Sequence, residues 1–348
     1  MRRVETELAG RLRWPWLALV PLAIAVTILA TACDKRALGP ATVEAALGAK
    51  VPIPADNPQT ADKVALGRLL FFDPRLSGSN TIACATCHNP DKGLADGLPR
   101  SIGASGEMTR NAMTLWNVAY MRAIHSDGSR TSLEDQAGKA IIGPAMAQTA
   151  PALTDALNGV PAYRERFGKV FPDGVTLTNV ARAVAAYERT LLTWRSPYDR
   201  YQAGDENALS AEAKRGMDLF FSTRTGCSSC HVAPLFTDNQ WHVLGVPQAG
   251  PKTVDAGRFD VTHNEADRGA FKTLTLRNVA LTGPYMHDGV FETLDDVVAF
   301  YAGGGGPAPG RDPLIKPIDL TPAEQTALVR FLRSLTDTTT TITPPALP

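Results

Sequence analysis

Two short motifs constrain this sequence more than any other feature. They read Cys84-Ala85-Thr86-Cys87-His88 and Cys227-Ser228-Ser229-Cys230-His231. The two cysteines of such a motif can each form a thioether with one vinyl group of a haem, and the adjacent histidine then lies beneath the ring, where it can bind the iron. We therefore predict two covalently attached c-type haems. The predicted attachment residues are Cys84, Cys87, Cys227 and Cys230, and the predicted iron ligands are His88 and His231.

Other uses of paired cysteines fit this chain less well. Four ligands from two such pairs could hold a tetrahedral zinc ion, and a thioredoxin-like redox motif needs a βαβ context. Neither explains a histidine directly after both pairs. Of the five cysteines, Cys33 stands outside the motifs, so a disulfide framework is not expected.

The N-terminal segment has the pattern of an export signal. Arginines precede an apolar run from Trp14 to Ala30, and small residues lead to Cys33. We predict a signal peptide or lipoprotein signal over residues 1–33, a periplasmic location, and Cys33 as a lipid-modified membrane tether. An uncleaved anchor is the alternative, since the run nearly reaches the ~20 residues of a spanning helix. The formal net charge is zero, so no nucleic-acid partner is expected.

An internal repeat relates the surroundings of the two motifs. Gly67 to Phe72 and Gly216 to Phe221 both read G-x-x-L-F-F. Thr114 to Ala119 matches Thr275 to Ala280, and an Asp-Gly pair follows each at the same spacing. The repeat predicts two homologous haem domains, which we place at residues 34–200 and 201–340.

The segments between the motifs favour helices. An apolar stripe runs from Val180 to Leu191 at helical spacing, and no convincing alternating strand pattern occurs. Ser196-Pro197 together with Gly204 predicts a linker. We therefore predict an all-α fold of two cytochrome c-like haem domains, with long loops such as Gly303 to Pro313 around the haems.

Beyond the haem motifs, the sequence resembles bacterial di-haem cytochrome c peroxidases and their relative MauG over residues 50–336. The opening Val51 to Pro58 looks most similar to the subgroup linked to methanobactin-type copper operons. The other stretches that carry the resemblance are Gly67 to Phe72, Ser101-Ile102-Gly103, Arg110-Asn111, Leu133 to Gln136, Phe271 to Ala280 and Tyr285 to Gly289.

The resemblance implies a division of labour between the haems. Hydrogen peroxide would react at the first, held by His88. Electrons would pass through the second, held by His231, from a small c-type cytochrome, another electron donor or a protein substrate. The resemblance also implies a calcium ion between the domains. Its ligands would be the side chain of Asn111 and the backbone carbonyls of Thr282 and Pro284, and oxygen ligands suit calcium. The alternative is that these three residues only shape loops.

The resemblance maps the sixth ligand of the second haem to Tyr301, fourteen residues after His287. Peroxidases of the family have Met at this position, whereas MauG-like enzymes have Tyr. A tyrosinate ligand lowers the reduction potential of the iron and stabilises ferric or higher states, whereas Met raises the potential. The alternative is a structural Tyr301, with Met286 or Met217 as the ligand.

The chain departs from the family at the first haem. Resting peroxidases have a removable distal His where this chain has Ala104, so we expect an open iron. The catalytic Glu of the family, ten residues after Gln136, falls on Met146. A carboxylate can move a proton between the oxygens of peroxide, but a thioether cannot. His125 could replace it as acid/base, relay group or iron ligand, or could be structural. The candidate catalytic residues are His125, Gln136 and Met146.

Met146 also supports a second hypothesis. If its sulfur bound the first iron, that site would be closed to peroxide. The protein would then be a non-enzymatic electron-transfer cytochrome.

Overall fold

The computed structural model describes residues 50–250 and 254–348. The predicted export signal and Cys33 lie outside the described residues. Within the described residues, no helix is long and apolar enough to cross a membrane.

The first half contains six helices among its described residues. Each of the five longest except α5 begins after a Thr or Ser whose side chain accepts a hydrogen bond from the helix backbone, the usual N-cap arrangement. The helices are α1 (Ala61–Phe71), α2 (Cys84–Cys87), α3 (Leu133–Ile142), α4 (Ala150–Asn158), α5 (Pro161–Val170) and α6 (Leu177–Glu188). Short 3-10 turns occupy Pro74–Leu76, Pro90–Lys92 and Val118–Tyr120.

The second half repeats this plan with fewer long helices. Its helices are α7 (Pro197–Gln202), α8 (Ala211–Phe220), α9 (Phe259–Thr262), α10 (Leu294–Ala302) and α11 (Pro322–Arg333). Capping boxes begin α7, α10 and α11, so the first backbone N–H groups of these helices are satisfied locally. The 3-10 turns are Cys227–Ser229, Glu265–Asp267 and Val279–Leu281.

Two small antiparallel sheets interrupt the helical fold. One pairs β1 (Ile102–Gly103) with β2 (Gly106–Glu107), and the other pairs β3 (Trp241–Val243) with β4 (Ala270–Lys272). The fold is therefore mainly helical, as predicted, but the strictly all-α class needs correction. Strands of two or three residues are too short to produce the alternating pattern by which strands are recognised in a sequence.

A glycine crossing lies at the centre of each half. A Cβ on Gly67 of α1 would lie 1.8 Å from the carbonyl oxygen of Ala183 in α6. A Cβ on Gly216 of α8 would lie 1.8 Å from the carbonyl oxygen of Ala327 in α11. Only glycine permits such close backbone contact. The repeat found in the sequence is therefore also a repeat of helix packing, and a separate apolar cluster surrounds each crossing.

The predicted linker at residues 196–204 is wrong in its central part, where the chain forms α7. Ser196 caps this helix and Pro197 occupies its first turn, a position that proline favours. Tyr198 is buried, and both carboxylate oxygens of Asp199 accept hydrogen bonds from the buried Arg277, at 2.7 and 2.9 Å. The Ser-Pro pair predicts a break in the chain, whereas in the structure the proline starts a helix that packs against other segments of the second half. The domain boundary at residue 200 stays a prediction.

Candidate haem sites

The first motif presents a histidine that is oriented for iron binding. Nδ1 of His88 lies 3.1 Å from the carbonyl oxygen of Leu94. A carbonyl can only accept, so Nδ1 carries the proton and Nε2 is left as the ligand atom. Burial lowers the pKa of His88, which favours the neutral imidazole that binds metals.

The second motif has the same arrangement. Nδ1 of His231 donates to the carbonyl oxygen of Phe236, at 2.9 Å. Burial also lowers the pKa of His231. The two accepting residues, Leu94 and Phe236, are fully buried and have left-handed backbones, with φ of 60° and 56°. Nothing in the sequence identified these two residues, because left-handed φ is unusual for apolar side chains.

The second motif opens onto a large cavity. Its volume is about 650 Å³, and Cys227, Cys230 and His231 line it together with apolar residues of α11 such as Leu328 and Leu332. This volume lies within the ~300–1,000 Å³ range of cofactor pockets. A largely apolar cavity with two thiols and one imidazole is what a covalently attached haem requires, so these residues fit a c-type haem.

Tyr301 of α10 lines the same cavity as His231. Burial raises the pKa of its hydroxyl well above the ordinary range, and the nearby sulfurs of Cys230 and Cys227 add to the effect. The structure thus brings Tyr301 to the second haem site. Met286 lines this cavity too, whereas Met217 packs against the apolar cluster of the second half.

The two positions at which the chain departs from the family lie on adjacent segments of the first half. The backbone N–H of Ala104 donates to the carbonyl oxygen of Ala145, at 2.8 Å, so Ala104 lies beside the segment that carries Met146. Met146 is 3% exposed and belongs to the first apolar cluster. Ser101 of the same loop hydrogen-bonds the thiol of Cys87, which partly offsets the rise that burial causes in the pKa of that thiol.

Gln136 of α3 has an unused acceptor. Its Oε1 is buried and has no hydrogen-bond partner among the described residues. A buried polar atom without a partner costs about 1–3 kcal/mol. This oxygen is therefore free to accept a hydrogen bond from a polar ligand.

The zinc alternative does not match the geometry. Within the described part of the chain, one group of ligand-type atoms lies within 4.8 Å of one another, on Cys230, Asp238 and His242. This group contains a single motif cysteine, Cys230 of the second motif. The four-cysteine site that a structural zinc ion would need from the two pairs is not formed.

Comparison with known proteins identifies the family. A family profile described as "Di-haem cytochrome c peroxidase" matches residues 61–207. The chain is 40% identical to cytochrome-c peroxidase IdrP1 of Denitromonas iodatirespirans, over 94% of each chain. It is also 40% identical to the methylamine utilization protein MauG of Methylorubrum extorquens, over 86% of this chain and 85% of that protein. The chain belongs to the di-haem cytochrome c peroxidase family.

Solved structures of this family share the fold. A MauG-like protein associated with microbial copper homeostasis has a TM-score of 0.76 at 31% identity, over 82% of this chain and 92% of that one. The di-haem peroxidase BthA of Burkholderia thailandensis has a TM-score of 0.70 at 26% identity, over 81% of this chain and 87% of that one. These relatives confirm the predicted family, its two c-type haems and an enzyme that acts on peroxide.

In this di-haem peroxidase, His125 lies in a turn of the first repeat, which the backbone pairing of Ile124 with Arg130 closes. Its φ is 70°, and its repeat equivalent Met286 has φ of 72°. Nδ1 of His125 lies 3.0 Å from the hydroxyl of Ser129. Burial lowers the pKa of His125, an effect opposed by Asp127 and reinforced by Arg130 and Arg110.

The three candidate calcium residues line the cavity of the second haem. Asn111, Thr282 and Pro284 all contribute to its wall. The backbone N–H of Asn111 donates to the carbonyl oxygen of His287, at 2.8 Å, and its side-chain amide donates to the carbonyl oxygen of Leu98, at 2.7 Å. The amide oxygen of Asn111 is thereby the atom left for a cation.

A buried ion-pair cluster beside this wall was not assigned a role from the sequence. Arg110 pairs with Asp127 at 2.5 Å and with Asp255 at 2.7 Å, and its guanidinium lies 5.6 Å from the ring of Phe271. These contacts raise the pKa of Arg110 despite its burial. The cluster joins a loop of the first half to segments of the second, so it fixes their relative position at the cavity.

Proposed function

We propose that the protein reduces hydrogen peroxide at the first haem with electrons drawn through the second haem, to which His231 and Tyr301 would both supply ligand atoms. The observation that carries this proposal is the difference between the pockets. Ala104, beside the segment of Met146, replaces the removable distal His of resting peroxidases, and Tyr301 lines the cavity of the second haem. The overall reaction consumes one peroxide, two electrons and two protons and forms two waters.

The chain's own residues have distinct tasks in this reaction. Bound haem supplies iron that exchanges electrons with peroxide and with the donor. His88 and His231 each present Nε2 because a carbonyl oxygen holds Nδ1. Ala104 leaves room for peroxide, and the free Oε1 of Gln136 can accept a hydrogen bond from it.

Proton delivery in the first pocket must differ from that of relatives with a glutamate. Met146 is buried at the corresponding position and cannot carry a proton. We assign the acid/base task to His125, whose Nδ1 is held by Ser129. Its second ring nitrogen then exchanges the proton, directly or through water.

The electron source is an oxidisable partner outside this chain. A small c-type cytochrome would serve a peroxidase, and a protein substrate would serve a MauG-like enzyme. Two similarities favour a protein substrate. One is the likeness to the MauG-like protein associated with microbial copper homeostasis, and the other is the segment Val51 to Pro58, which resembles the copper-operon subgroup. Mass shifts in a co-expressed partner distinguish modification of that partner from simple electron donation.

Two further parts of the proposal concern calcium and location. The amide oxygen of Asn111 with the carbonyls of Thr282 and Pro284 would hold a calcium ion at the cavity wall. The arginine-rich, apolar N-terminal segment that ends at Cys33 supports export to the periplasm, with lipid attachment at that cysteine.

Rapid mixing of the haem-loaded, fully oxidised protein with peroxide tests the function. We expect the absorption spectrum of the first haem to change after mixing. An added reduced cytochrome should then be oxidised. Absence of both would favour electron transfer alone, with the sulfur of Met146 on the first iron. The buried position of Met146 is the observation that supports this second candidate function.

A further inference from the structure

Glu188 is a buried carboxylic acid that the proposed reaction does not use. It is the last residue of α6 and is 6% exposed. Its Oε2 is buried and has no hydrogen-bond partner among the described residues. Acidic side chains are rarely this buried without a partner.

The repeat shows which surface Glu188 occupies. A Cβ on Gly67 would lie 3.0 Å from the Cβ of Tyr187, and a Cβ on Gly216 would lie 2.9 Å from the Cβ of Phe331. The two crossings therefore align Tyr187 with Phe331. The next residue in each helix is then Glu188 in the first half and Leu332 in the second.

Leu332 lines the cavity of the second haem. Its equivalent Glu188 therefore faces the pocket of the first. The electrostatics agree: burial is the main cause of the raised pKa of the Cys84 thiol, and the charge of Glu188 is the next cause. Glu188 thus lies near the sulfur that attaches the first haem.

Few charges act on Glu188. Burial raises its pKa to about 8, Arg189 lowers it, and Glu134 of α3 raises it. The Arg189 guanidinium itself is committed to Glu134, with one nitrogen at 2.7 and 2.9 Å from the two carboxylate oxygens. The carboxyl can therefore change its protonation state within the ordinary pH range.

Charged groups on the other packed helices are directed elsewhere. On α1, Lys63 donates to Asn57 and to the carbonyl oxygen of Pro58, and Arg68 donates to the carbonyl oxygen of Thr343. On α4 the ionisable residue is Asp155, which is exposed.

We propose that Glu188 couples the first haem to a proton: its carboxylate binds one proton when that iron takes up one electron, and releases it when the iron is oxidised. An ionised carboxylate at the haem edge stabilises the oxidised iron, and a reduced iron in turn favours the neutral acid. The step balances one electron from the donor with one proton from water. Leu332 carries no charge, so the second haem has no carboxyl group at this position.

This inference needs the haem at Cys84 and Cys87, which the family provides, but it does not depend on peroxide turnover. Glu188 is a positioning residue that acts through the potential of the haem. If the protein does not reduce peroxide, the inference about Glu188 still stands. If Glu188 does not couple to a proton, the proposed peroxide reaction still stands.

Potentiometric titration of the haem-loaded protein from about pH 5 to about pH 9 tests the coupling. In the wild-type protein, the midpoint of one haem should fall as pH rises, approaching about 59 mV per pH unit, the tenfold-per-unit value for one proton and one electron. In Glu188→Gln, this midpoint should lie higher at alkaline pH and lose that slope. Any slope due to the haem propionates would persist in the variant.

Leu332→Gln is the matched control in the other half. It should change only the other midpoint, by an amount that does not depend on pH. If Glu188→Gln does not bind haem, Glu188→Leu copies the residue that the second half already tolerates. A wild-type midpoint without a pH slope, or the same slope in both Glu188 variants, would overturn the inference.

Infrared difference spectra between the reduced and oxidised states test the coupling with the wild-type protein alone, so they do not depend on whether a variant folds. Reduction should produce a protonated-carboxyl band that shifts in heavy water. If no such band forms, Glu188 does not take up a proton, and the inference is wrong.

Discussion

The two halves of the molecule hold their haem-binding histidines in the same way but surround them differently. His88 and His231 each hydrogen-bond a backbone carbonyl through Nδ1, and a glycine crossing supports each motif. In the first half, Ala104 lies beside the segment that carries Met146, whereas in the second half Tyr301 lines the haem cavity. The scaffold thus fixes where each iron binds, and a few side chains that face the haems decide what each iron can do.

The comparison first predicts that both halves depend equally on their crossings. Gly67→Ala and Gly216→Ala each place a Cβ 1.8 Å from a carbonyl oxygen, so the helices must separate. We expect each change to lower the free energy of unfolding by about 4 kcal/mol or more, measured by denaturant titration of the haem-loaded protein.

Gly168→Ala in α5 is the control, since its Cβ meets nothing within 4 Å. It should be neutral or stabilise by up to ~1 kcal/mol. Similar losses at all three glycines would contradict the role of the crossings.

The second prediction addresses the missing acid of the first pocket. Met146→Glu should raise the rate of peroxide consumption by about 100-fold, because a carboxyl can transfer the proton that a thioether cannot. Steady-state peroxide assays measure this effect. Met146→Gln has the same shape without the acid and should not gain activity; an equal gain in both variants would show that removal of the thioether is what matters.

The third prediction concerns the second pocket. Tyr301→Met should raise the reduction potential of the second haem by on the order of 100 mV, because a thioether ligand favours reduced iron. Potentiometry with optical detection follows this midpoint. Met286→Leu, in the same cavity, should leave it nearly unchanged. The opposite pattern would identify Met286 as the ligand.

The fourth prediction tests calcium at the wall between the halves. A calcium chelator should lower the melting temperature of the haem-loaded wild-type protein by several degrees, as expected when a bound ion that stabilises the fold is removed. Asn111→Ala should melt at the lower temperature with or without chelator. If the chelator has the same effect on both proteins, calcium binds elsewhere.

The smallest expected effect is at a contact between the ends of the two halves. Burial opposes ionisation of Asp337, but hydrogen bonds from Thr339, Thr340 and Thr193 outweigh it and hold its pKa at about 2. Thr193 belongs to the first half and reaches Asp337 at 3.0 Å.

Because the folded pKa of Asp337 lies below its model value of 3.8, its contribution to stability is present above that value and is lost as pH falls toward 2. Asp337→Asn should cost about 1 kcal/mol at neutral pH and less in acid. Acid titration of stability compares the two proteins, and parallel curves would contradict the assignment.

The sequence alone was enough to predict what depends on covalent chemistry and on repetition. The two c-type haems, the repeat and the mainly helical fold follow from residue spacing and pattern, and the family follows from the resemblance of several motifs. The backbone carbonyls of Leu94 and Phe236 could not be predicted, because their left-handed conformations arise from packing around each motif rather than from their side chains.

Long-range pairs were missed for a similar reason. The buried ion pair of Asp199 and Arg277 holds α7 in place where a linker is predicted. Its two residues are distant in the sequence, so no local pattern shows that they meet. Glu188 appears in the sequence as an ordinary acid at a helix end. Only the register of the glycine crossings shows that it replaces the apolar Leu332.

The electron paramagnetic resonance spectrum of the resting, fully oxidised protein tests the difference between the two haems most directly. The account predicts a high-spin signal from the first haem, open because Ala104 supplies no ligand, together with a low-spin signal from the second, bound by His231 and Tyr301. Two low-spin signals without a high-spin component would contradict it.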